Sequence, residues 1–599
     1  MSWLLPIPVV VPLLAAAVNT AGDHVLPRRG GDVLAIGAAA TSFAFSLVIM
    51  VDSMQDELTH WFGGWRPRSG VALGIAFTAD PLGAGAAALA SGLTVAALVY
   101  SITYLAEAAR FYHTLMLVFC GAMCGFALTG DIFNMFAWFE LMGVAAYALA
   151  GFKIAEFGPL QGSINMAVTN TIGAYFILLG IALVYGKTGA LNLAQIGRTL
   201  SGQKPDGLVV VAFTLLIVGF LIKAAIVPFH AWLADAHAVA PAPVCVLFSG
   251  IMVELGILAV ARIYWTVFDA PFGAHQTAVR NLLIALGIVS ALLGAVMAFM
   301  QTHLKRLLAF TTISHAGAML VGVAVLNSKS LAGVATLVLS HGLVKGALFL
   351  ASGIVLLRLR SIDELRLHGR GRALPVVGAL FIAGAIASTG LPYVGTYLGH
   401  AQIDEGATLD HIEWVQPLLM IASGIAAGAI LRAGLRVFLG WGQTEDDLLT
   451  RQPEEEPERS HGGIPLLTAV TAVVLVAGLA ASVVPGLAQR AEYGAERFRD
   501  RAGYAERVLH GAPMKRTEAR LPFAVAHTGI ASLLYGLGGV AIALATAAFG
   551  LWRGRLGDRV LGPPFAVLRA GHTGVIGDYV TWIVLGAAFV GGVWALTLR

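Results

Sequence analysis

Charged residues are scarce in this chain of 599 residues. Only 12% are Asp, Glu, Lys or Arg, whereas 58% are hydrophobic and the mean hydropathy is +0.80. This composition excludes a soluble globular protein and is typical of a polytopic membrane protein. Lysine is rarer still, because it accounts for only eight of the 38 basic residues. A lysine inside an apolar run therefore stands out from the composition.

Motifs that would hold a cofactor are also missing. Three cysteines, Cys120, Cys124 and Cys245, lie in apolar segments and are too few for the four thiolates of an iron–sulfur cluster. The sequence has no G-x-G-x-x-G followed by a ribose-binding acid and no G-x-x-x-x-G-K-[ST]. We therefore expect no metal, redox cofactor or nucleotide, no catalysis by the chain alone, and energy supplied by an ion gradient or a partner.

Apolar windows of about 20 residues predict an all-α polytopic membrane protein with roughly sixteen spans. The spans are predicted to start near residues 2, 32, 81, 112, 132, 160, 208, 242, 280, 306, 331, 375, 416, 464, 526 and 575. The first run lacks a basic leader and a cleavage site, so we expect a retained helix. The distribution of Lys and Arg among the loops predicts an N-terminus outside the cell membrane, although the basic loop 486–520 then also falls outside.

Lys223 lies in the apolar run LVVVAFTLLIVGFLIKAAIVPF, five residues before Pro228. An unpaired charge in hydrocarbon costs several kcal/mol, so such a residue indicates an ion or proton path. Pro228 cannot donate a hydrogen bond to the carbonyl of Ala224, which predicts a broken helix of the kind that lines transport sites. Because lysine, unlike arginine, can give up its proton, the pattern favours proton exchange over a fixed charge.

Glu140 is the natural partner for this lysine. It follows Asp131, the predicted N-cap of the fifth span, by nine residues. At 1.5 Å per residue this places Glu140 about 13 Å into the helix, close to the middle of the membrane. A static Glu140–Lys223 ion pair that only fixes packing is the alternative interpretation.

Further ionisable residues lie in later spans. Glu254 is midway along the eighth span and needs a partner or a proton, whereas Arg262 near the end of that span is expected to reach the interface without one. His315 lies in the tenth span, and a spacing of four places His341 and Lys345 on one face of the eleventh. Two histidines and a lysine in adjacent spans indicate a proton relay.

Lys305 and Arg306 at the start of the tenth span leave two interpretations open. They are either anchors of the positive-inside type or functional residues.

A second break is predicted in the twelfth span, ASTGLPYVGTYLGH. There Pro392 frees the carbonyl of Ser388, and His400 follows. One broken helix in each half is typical of transporters with two inverted repeats. The predicted units are residues 1–110 with spans 1–3, 111–265 and 277–440 with one five-helix repeat each, and 441–599 as a C-terminal extension. The extension contains AQRAEYGAERFRDRAGYAERVL, either an interfacial amphipathic helix or a solvated loop helix.

Several of these stretches together resemble a known family. LIKAAIVPFHAWLADAHAVAPAPV, THLKRLLAFTTISHAG and SHGLVKGALFLASG are similar, in order, to signatures of the antiporter-like, proton-conducting subunits of respiratory complex I, Mrp-type sodium/proton antiporters and membrane-bound hydrogenases. The resemblance covers roughly residues 75–440. The tail AGHTGVIGDYVTWIVLGAAFVGG resembles the C-terminal end of the longer, complex I type members.

The resemblance implies roles for the candidate residues. Glu140 and Lys223 match the pair thought to gate proton access, and His315, His341 and Lys345 match the central polar relay. His400 falls where the family has a Lys or Glu in the twelfth span. The sequence also departs from the family, because Glu254 replaces the usual lysine of the eighth span, and His303 and Tyr393 replace an Asp and a Pro.

The resulting hypothesis is vectorial proton transfer within a multi-subunit, energy-converting membrane complex of the NADH-quinone oxidoreductase or hydrogenase type. The predicted path runs from Glu140 and Lys223 through Glu254, His315, His341 and Lys345 to His400, with breaks at Pro228 and Pro392. The expected partners are other membrane subunits, lipids and protons, with no nucleic acid. Three alternatives stay open: a subunit of a sodium or potassium/proton antiporter, a subunit of a hydrogenase or of a gradient-driven inorganic-carbon uptake complex, and a non-conducting scaffold.

Overall fold

Long apolar helices account for almost all of the fold. The computed structural model describes residues 2–22, 27–105, 111–153, 156–442, 455, 463–510, 525, 528–552, 562–564, 566, 568 and 570–598. Within these residues, fourteen helices are long and apolar enough to cross a membrane, and two shorter apolar helices are each followed by a break. The predicted all-α membrane fold is confirmed, whereas the number of sixteen spans and the inverted repeats stay predictions.

The N-terminal part consists of three helices and one hairpin. These are α1 (Ile7–Ala21), α2 (Arg28–Ser53), β1 (Leu58–Trp61), β2 (Ala76–Ala79) and α3 (Pro81–Tyr104). The two strands are antiparallel, with Leu58 opposite Ala79. Directly after β2, the Asp80 side chain accepts hydrogen bonds from the first free backbone N–H groups of α3. The hairpin therefore sets where α3 begins.

The next part contains the first broken helix. Its elements are α4 (Phe111–Leu128), α5 (Ile132–Ala150), α6 (Phe157–Thr188), α7 (Leu193–Leu200), α8 (Gly207–Lys223), α9 (Ala231–Val239), α10 (Ala242–Leu247) and α11 (Val253–Ile263). A π-helical turn, Phe248–Met252, joins α10 and α11 into one continuous helix. Asp131 accepts a hydrogen bond from the first turn of α5, as the sequence predicts.

The following part contains the second broken helix. Its elements are α12 (Gln276–Met300), α13 (Leu304–Ala324), α14 (Ser328–Leu359), α15 (Pro375–Ala387), α16 (Tyr397–Leu409) and α17 (Val415–Gly434). Helix α13 is surrounded by protein, since every residue in its apolar window is buried. An ionisable side chain on α13 must therefore face another helix and not lipid.

The C-terminal part contains further helices among its described residues. These are α18 (Ile464–Ala480), α19 (Leu487–Arg499), α20 (Arg501–His510), α21 (Ile530–Trp552) and α22 (Ile576–Thr597). The predicted amphipathic stretch forms α19 and α20, and its apolar side chains Ala495, Phe498 and Tyr504 are buried against the protein.

The bundle has two opposite polar faces. Lys305, at the start of α13, donates a 2.6 Å hydrogen bond to the carbonyl of Ala240, just before α10. Arg262 lies 22 residues further along the continuous α10–α11 helix, or about 33 Å at 1.5 Å per residue. We call the two sides the Lys305 face and the Arg262 face.

Candidate functional site

The first break separates α8 from α9 immediately after Lys223. Ala225 has a positive φ of 51°, and Pro228 follows within the unwound segment. Two side chains bind backbone groups next to or within the break: the Trp232 indole N–H donates to the Ile222 carbonyl at 3.0 Å, and the Val227 N–H donates to the Ser290 hydroxyl at 3.0 Å. The structure thus places the interruption where the proline predicts it.

Lys223 is fully buried at the end of α8 without a fixed polar partner. Its ammonium lies 4.5 Å from the centre of the Phe139 ring and has no hydrogen-bond partner among the described residues. Glu140, next to Phe139 on α5, is close enough for its charge to act on Lys223, yet no hydrogen bond joins the two. The structure therefore brings the predicted pair together as neighbours and not as a direct salt bridge.

A row of ionisable side chains connects the two halves of the bundle. On α11, a Glu254 carboxylate oxygen lies 3.3 Å from Nε2 of His341 on α14. The His341 and His315 rings are 4.8 Å apart, and the His315 and His400 rings are 5.9 Å apart, measured between centroids. The row runs from α11 to α16, the helix that follows the second break.

Lys345 lies beside this row, one turn after His341. It donates a hydrogen bond to the hydroxyl of Thr311 on α13, and its Nζ is 3.5 Å from the carbonyl of Leu308. His315 bonds the carbonyl of Thr311 through Nδ1 at 2.8 Å, so Thr311 contacts both residues. The predicted shared face of His341 and Lys345 therefore points at α13.

The second break separates α15 from α16 and adjoins an open cleft. The Thr396 N–H donates to the Ala387 carbonyl at 3.1 Å across the break. Gly395 has a φ of 56°, and a β-carbon there would lie 2.3 Å from that same carbonyl oxygen, so glycine is required. The cleft is small, with a volume of about 20 Å³ that suffices for about one water molecule, and His400, Asp404 and Tyr535 are part of its lining. His400 therefore lies between the buried row and this cleft.

Two buried histidines have no role in the sequence-based hypothesis. His237 on α9 is fully buried, stacks on Phe349 at 4.6 Å, and has no hydrogen-bond partner among the described residues for either ring nitrogen. Lys305 and Lys345 are both close enough for their charges to act on it. Its only signal in the sequence is its place in the motif W-L-A-D-A-H. The second residue, His230, precedes α9 and is also buried.

Three basic residues, Arg262, Lys305 and Arg306, each have an acidic partner in the structure. Arg262 is buried, pairs with Asp80, and lies over the Phe498 ring at 4.0 Å. The expectation that Arg262 needs no partner is therefore wrong. Lys305 is also buried and contacts a Glu455 oxygen at 2.6 Å. Arg306 lies 3.1 Å from an Asp235 oxygen. These contacts give both residues of the Lys305–Arg306 pair a partner inside the protein.

Comparison with known proteins agrees with this architecture. The sequence profile of the family described as "NADH:quinone oxidoreductase/Mrp antiporter, TM" matches residues 129–426. NADH-quinone oxidoreductase subunit N of Desulforudis audaxviator is 32% identical over 395 residues, which cover 64% of this chain and 76% of the relative. A Na(+)/H(+) antiporter subunit of Bacillus subtilis is 26% identical over 449 residues, covering 74% and 87%.

A similar solved structure extends the match to the fold. A chain of the Mrp complex from Dietzia sp. superimposes with a TM-score of 0.72 at 24% identity, covering 85% of this chain and 100% of that one. The match extends over a larger share of this chain than the family profile does, so the shared fold is not confined to residues 129–426. The chain therefore belongs to the NADH:quinone oxidoreductase/Mrp antiporter family and is an antiporter-like membrane subunit.

Proposed function

We propose that this chain transfers protons across the cell membrane as one subunit of a multi-subunit complex. The row Glu254–His341–His315–His400 carries the proposal. The Glu254 oxygen is 3.3 Å from Nε2 of His341, and the centroids of successive histidine rings are 4.8 and 5.9 Å apart. Gaps of this size can be closed by one water molecule or a small side-chain rotation. A merely structural core would fill the same space with apolar side chains at lower cost.

Lys223 supports the same function from the first break. A desolvated cation–π contact such as that with Phe139 is worth roughly 2 kcal/mol, which is less than the several kcal/mol needed to bury an ammonium. Packing alone therefore does not hold the charged form. The Glu140 charge must compensate for it, or Lys223 must lose its proton. A movement of Glu140 would then release a proton from Lys223 towards the row.

The path within the proposed function has three parts. Glu140 and Lys223 form the input, Glu254, His315, His341 and Lys345 form the central relay, and His400 releases the proton into the cleft beside the Pro392 break. The units 111–265 and 277–440 are proposed as two inverted repeats, each with one break. The N-terminus is proposed to lie outside, which places the Lys305 face in the cytoplasm. The proposed partners are neighbouring membrane subunits, lipids and the transported proton.

A second candidate function is exchange of Na⁺ or K⁺ for protons. Glu254 favours it, because a carboxylate supplies the hard oxygen ligand that such cations prefer. One relative is named as part of a Na(+)/H(+) antiporter. In this case transport would depend on the cation, whereas simple proton transfer would not.

The test uses the complex purified from its host through a tag on this chain and reconstituted in vesicles. We expect proton uptake under an applied driving force, abolished by Lys223→Ala and by Glu140→Gln. Lys187→Ala is the matched lysine control, because Lys187 pairs with Asp206 at the protein surface and is 30% exposed. Full proton transfer by Lys223→Ala or Glu140→Gln would contradict the relay. A strict need for Na⁺ or K⁺ would favour the second candidate.

A further inference from the structure

The last helix of the chain packs directly on the first break. A β-carbon at Gly586, on α22, would lie 2.5 Å from the Pro228 ring and 2.7 Å from Phe229, so the close approach requires glycine. Trp594 on the same helix packs on Phe213 of α8, with ring centroids 4.6 Å apart. The segment before α22 is thereby brought to the Lys305 side of the break.

This segment places His572 against His230. The two Nε2 atoms are 2.8 Å apart, which is a hydrogen-bond distance. His572 also bonds the carbonyl of Leu568 through Nδ1 at 2.8 Å. Since a carbonyl can only accept, this Nδ1 carries a hydrogen, and in the neutral ring Nε2 is the acceptor. The His230 Nε2–H is therefore the donor, and its Nδ1 is left buried without a hydrogen-bond partner among the described residues.

The two rings differ in their access to water. His230 is 6% exposed and precedes α9, whereas His572 is partly exposed at the Lys305 face. Lys223 and His230 lie at the two ends of the unwound segment between α8 and α9. The His572–His230 pair therefore extends from the partly exposed surface to the α9 end of the unwound segment, whereas Lys223 lies at its α8 end.

Charged groups around the pair come from several elements. Asp235 of α9 acts on His572 through its charge, and it contacts the Arg306 guanidinium of α13 at 3.1 Å and the Tyr579 hydroxyl of α22 at 2.7 Å. The Phe310 ring also packs near His572, with ring centroids 5.9 Å apart and the rings nearly perpendicular. Burial lowers the pKa of His572, while Asp235 raises it. His572 is therefore a largely neutral imidazole near pH 7, and it releases readily any proton that it takes up.

Other contacts hold the segment in place independently of His572. The side chain amides of Asn165 and Gln161 both donate to the carbonyl of Gly574, at 3.1 and 3.4 Å, and Asn165 also donates to Asp235 at 3.1 Å. Replacement of the His572 ring therefore leaves the docking of the segment largely intact.

We propose that His572 and His230 form a proton port between the water at the Lys305 face and the first break. One hydrogen lies between the two Nε2 atoms, so its transfer breaks an N–H bond on one ring as it forms one on the other. For inward transfer, a proton from water binds Nδ1 of His572 as its Nε2–H bond breaks, an N–H bond forms at Nε2 of His230, and the Nδ1–H of His230 is released towards the break. This leaves the observed arrangement, with the His572 Nδ1–H on the Leu568 carbonyl and Nδ1 of His230 without a partner among the described residues. The pair is reset when the rings separate and each loses its hydrogen to water at one nitrogen and gains one at the other. The port rests on the proposed function, because it requires that the chain conducts protons.

The test compares His572→Gln and His230→Gln with the wild type in reconstituted vesicles. Glutamine keeps a hydrogen-bonding side chain of similar reach but cannot exchange protons near neutral pH. We expect the initial rate of proton transfer to fall about a hundredfold or more in each variant, as for loss of an acid–base group, with no further loss in the double variant. His411→Gln is the control, since the His411 side chain is 91% exposed, and its rate should equal that of the wild type.

Chemical rescue distinguishes a proton port from a structural contact. Free histidine, added at the Lys305 face, carries the same imidazole and should restore much of the rate of His572→Gln while leaving the wild type unchanged. The thermal midpoint of this variant should also match that of the wild type. An unrescued loss with a lowered midpoint would overturn the port in favour of a structural role. Equal rates in His572→Gln and the wild type would overturn the port alone, whereas a wild type that transfers no protons would overturn the proposed function and the port together.

Discussion

Glu254 and His341 lie 3.3 Å apart, carboxylate oxygen to Nε2, across the boundary between the two predicted repeats. The resemblance to the family implies a lysine at this position, where this chain has an acid. Lys345, one turn from His341, is close enough for its charge to act on Glu254. The centre of the bundle therefore holds an acid, an imidazole and an amine within one packed cluster.

The first prediction concerns this acid. Glu254→Gln removes the ionisable carboxyl group, so we expect proton transfer to fall about a hundredfold or more, the lower end of the range for loss of an acid–base group. The effect of His341→Gln should be similar, and the double variant should be no slower than the slower single variant, because the two act as one link. Rates are measured in reconstituted vesicles.

The control for this prediction is Glu413→Gln, because the Glu413 side chain is 50% exposed. It should transfer protons at the wild-type rate. Additive losses in the double variant would contradict a shared link between Glu254 and His341.

The candidate site was predictable from the sequence only in part. Lys223 and Pro228 are evident because a charge and a proline within an apolar run act locally on the helix. The Glu254–His341 contact was not predictable, because spacing along one helix does not say which face of another helix it meets. The same limit explains Arg262, whose partners Asp80 and Phe498 come from distant elements. His572 had no local signal, since its position depends on how α22 packs.

Lys223→Arg tests whether the lysine must release its proton. Arginine keeps the positive charge but does not deprotonate in proteins, so we expect the variant to transfer protons nearly as slowly as Lys223→Ala. Its assembly with the partner subunits should persist, as measured by co-purification. A normal transfer rate in Lys223→Arg would mean that the lysine serves as a fixed charge.

Glu57 makes stability at the Arg262 face depend on pH. It lies before β1 and is 2.9 Å from Arg507 of α20. Burial raises the pKa of Glu57 to about 7, while the nearby Arg507 charge partly opposes the rise. Folding therefore takes up a proton at Glu57 between its ordinary pKa of 4.5 and about 7, and the associated stability is present at acid pH and lost as pH rises through 7.

Glu57→Gln should remove this dependence. We expect the thermal midpoint of the wild type to fall relative to the variant between pH 5 and pH 8, equivalent to at most about 3 kcal/mol. The comparison uses the purified complex in detergent, with Glu413→Gln as the exposed control. A constant difference between wild type and Glu57→Gln across this pH range would show that Glu57 does not titrate on folding.

His400 is the last member of the row, at the cleft beside the second break, where the resembling family has a Lys or Glu. A free imidazole is a weaker base than the amine of a lysine by roughly four pKa units, so a histidine here releases its proton more readily than a lysine would. We expect His400→Lys to move the pH optimum of proton transfer upward, because a lysine releases its proton only at higher pH. His400→Leu, which cannot carry a proton, should block transfer. Both variants keep Pro392 and Gly395, so the break itself is preserved.

The measurement for the His400 variants is the initial rate of proton transfer from pH 5.5 to 7.5 and above. Identical pH profiles for wild type and His400→Lys would mean that His400 packs behind the break without passing protons, and the row would then end at His315.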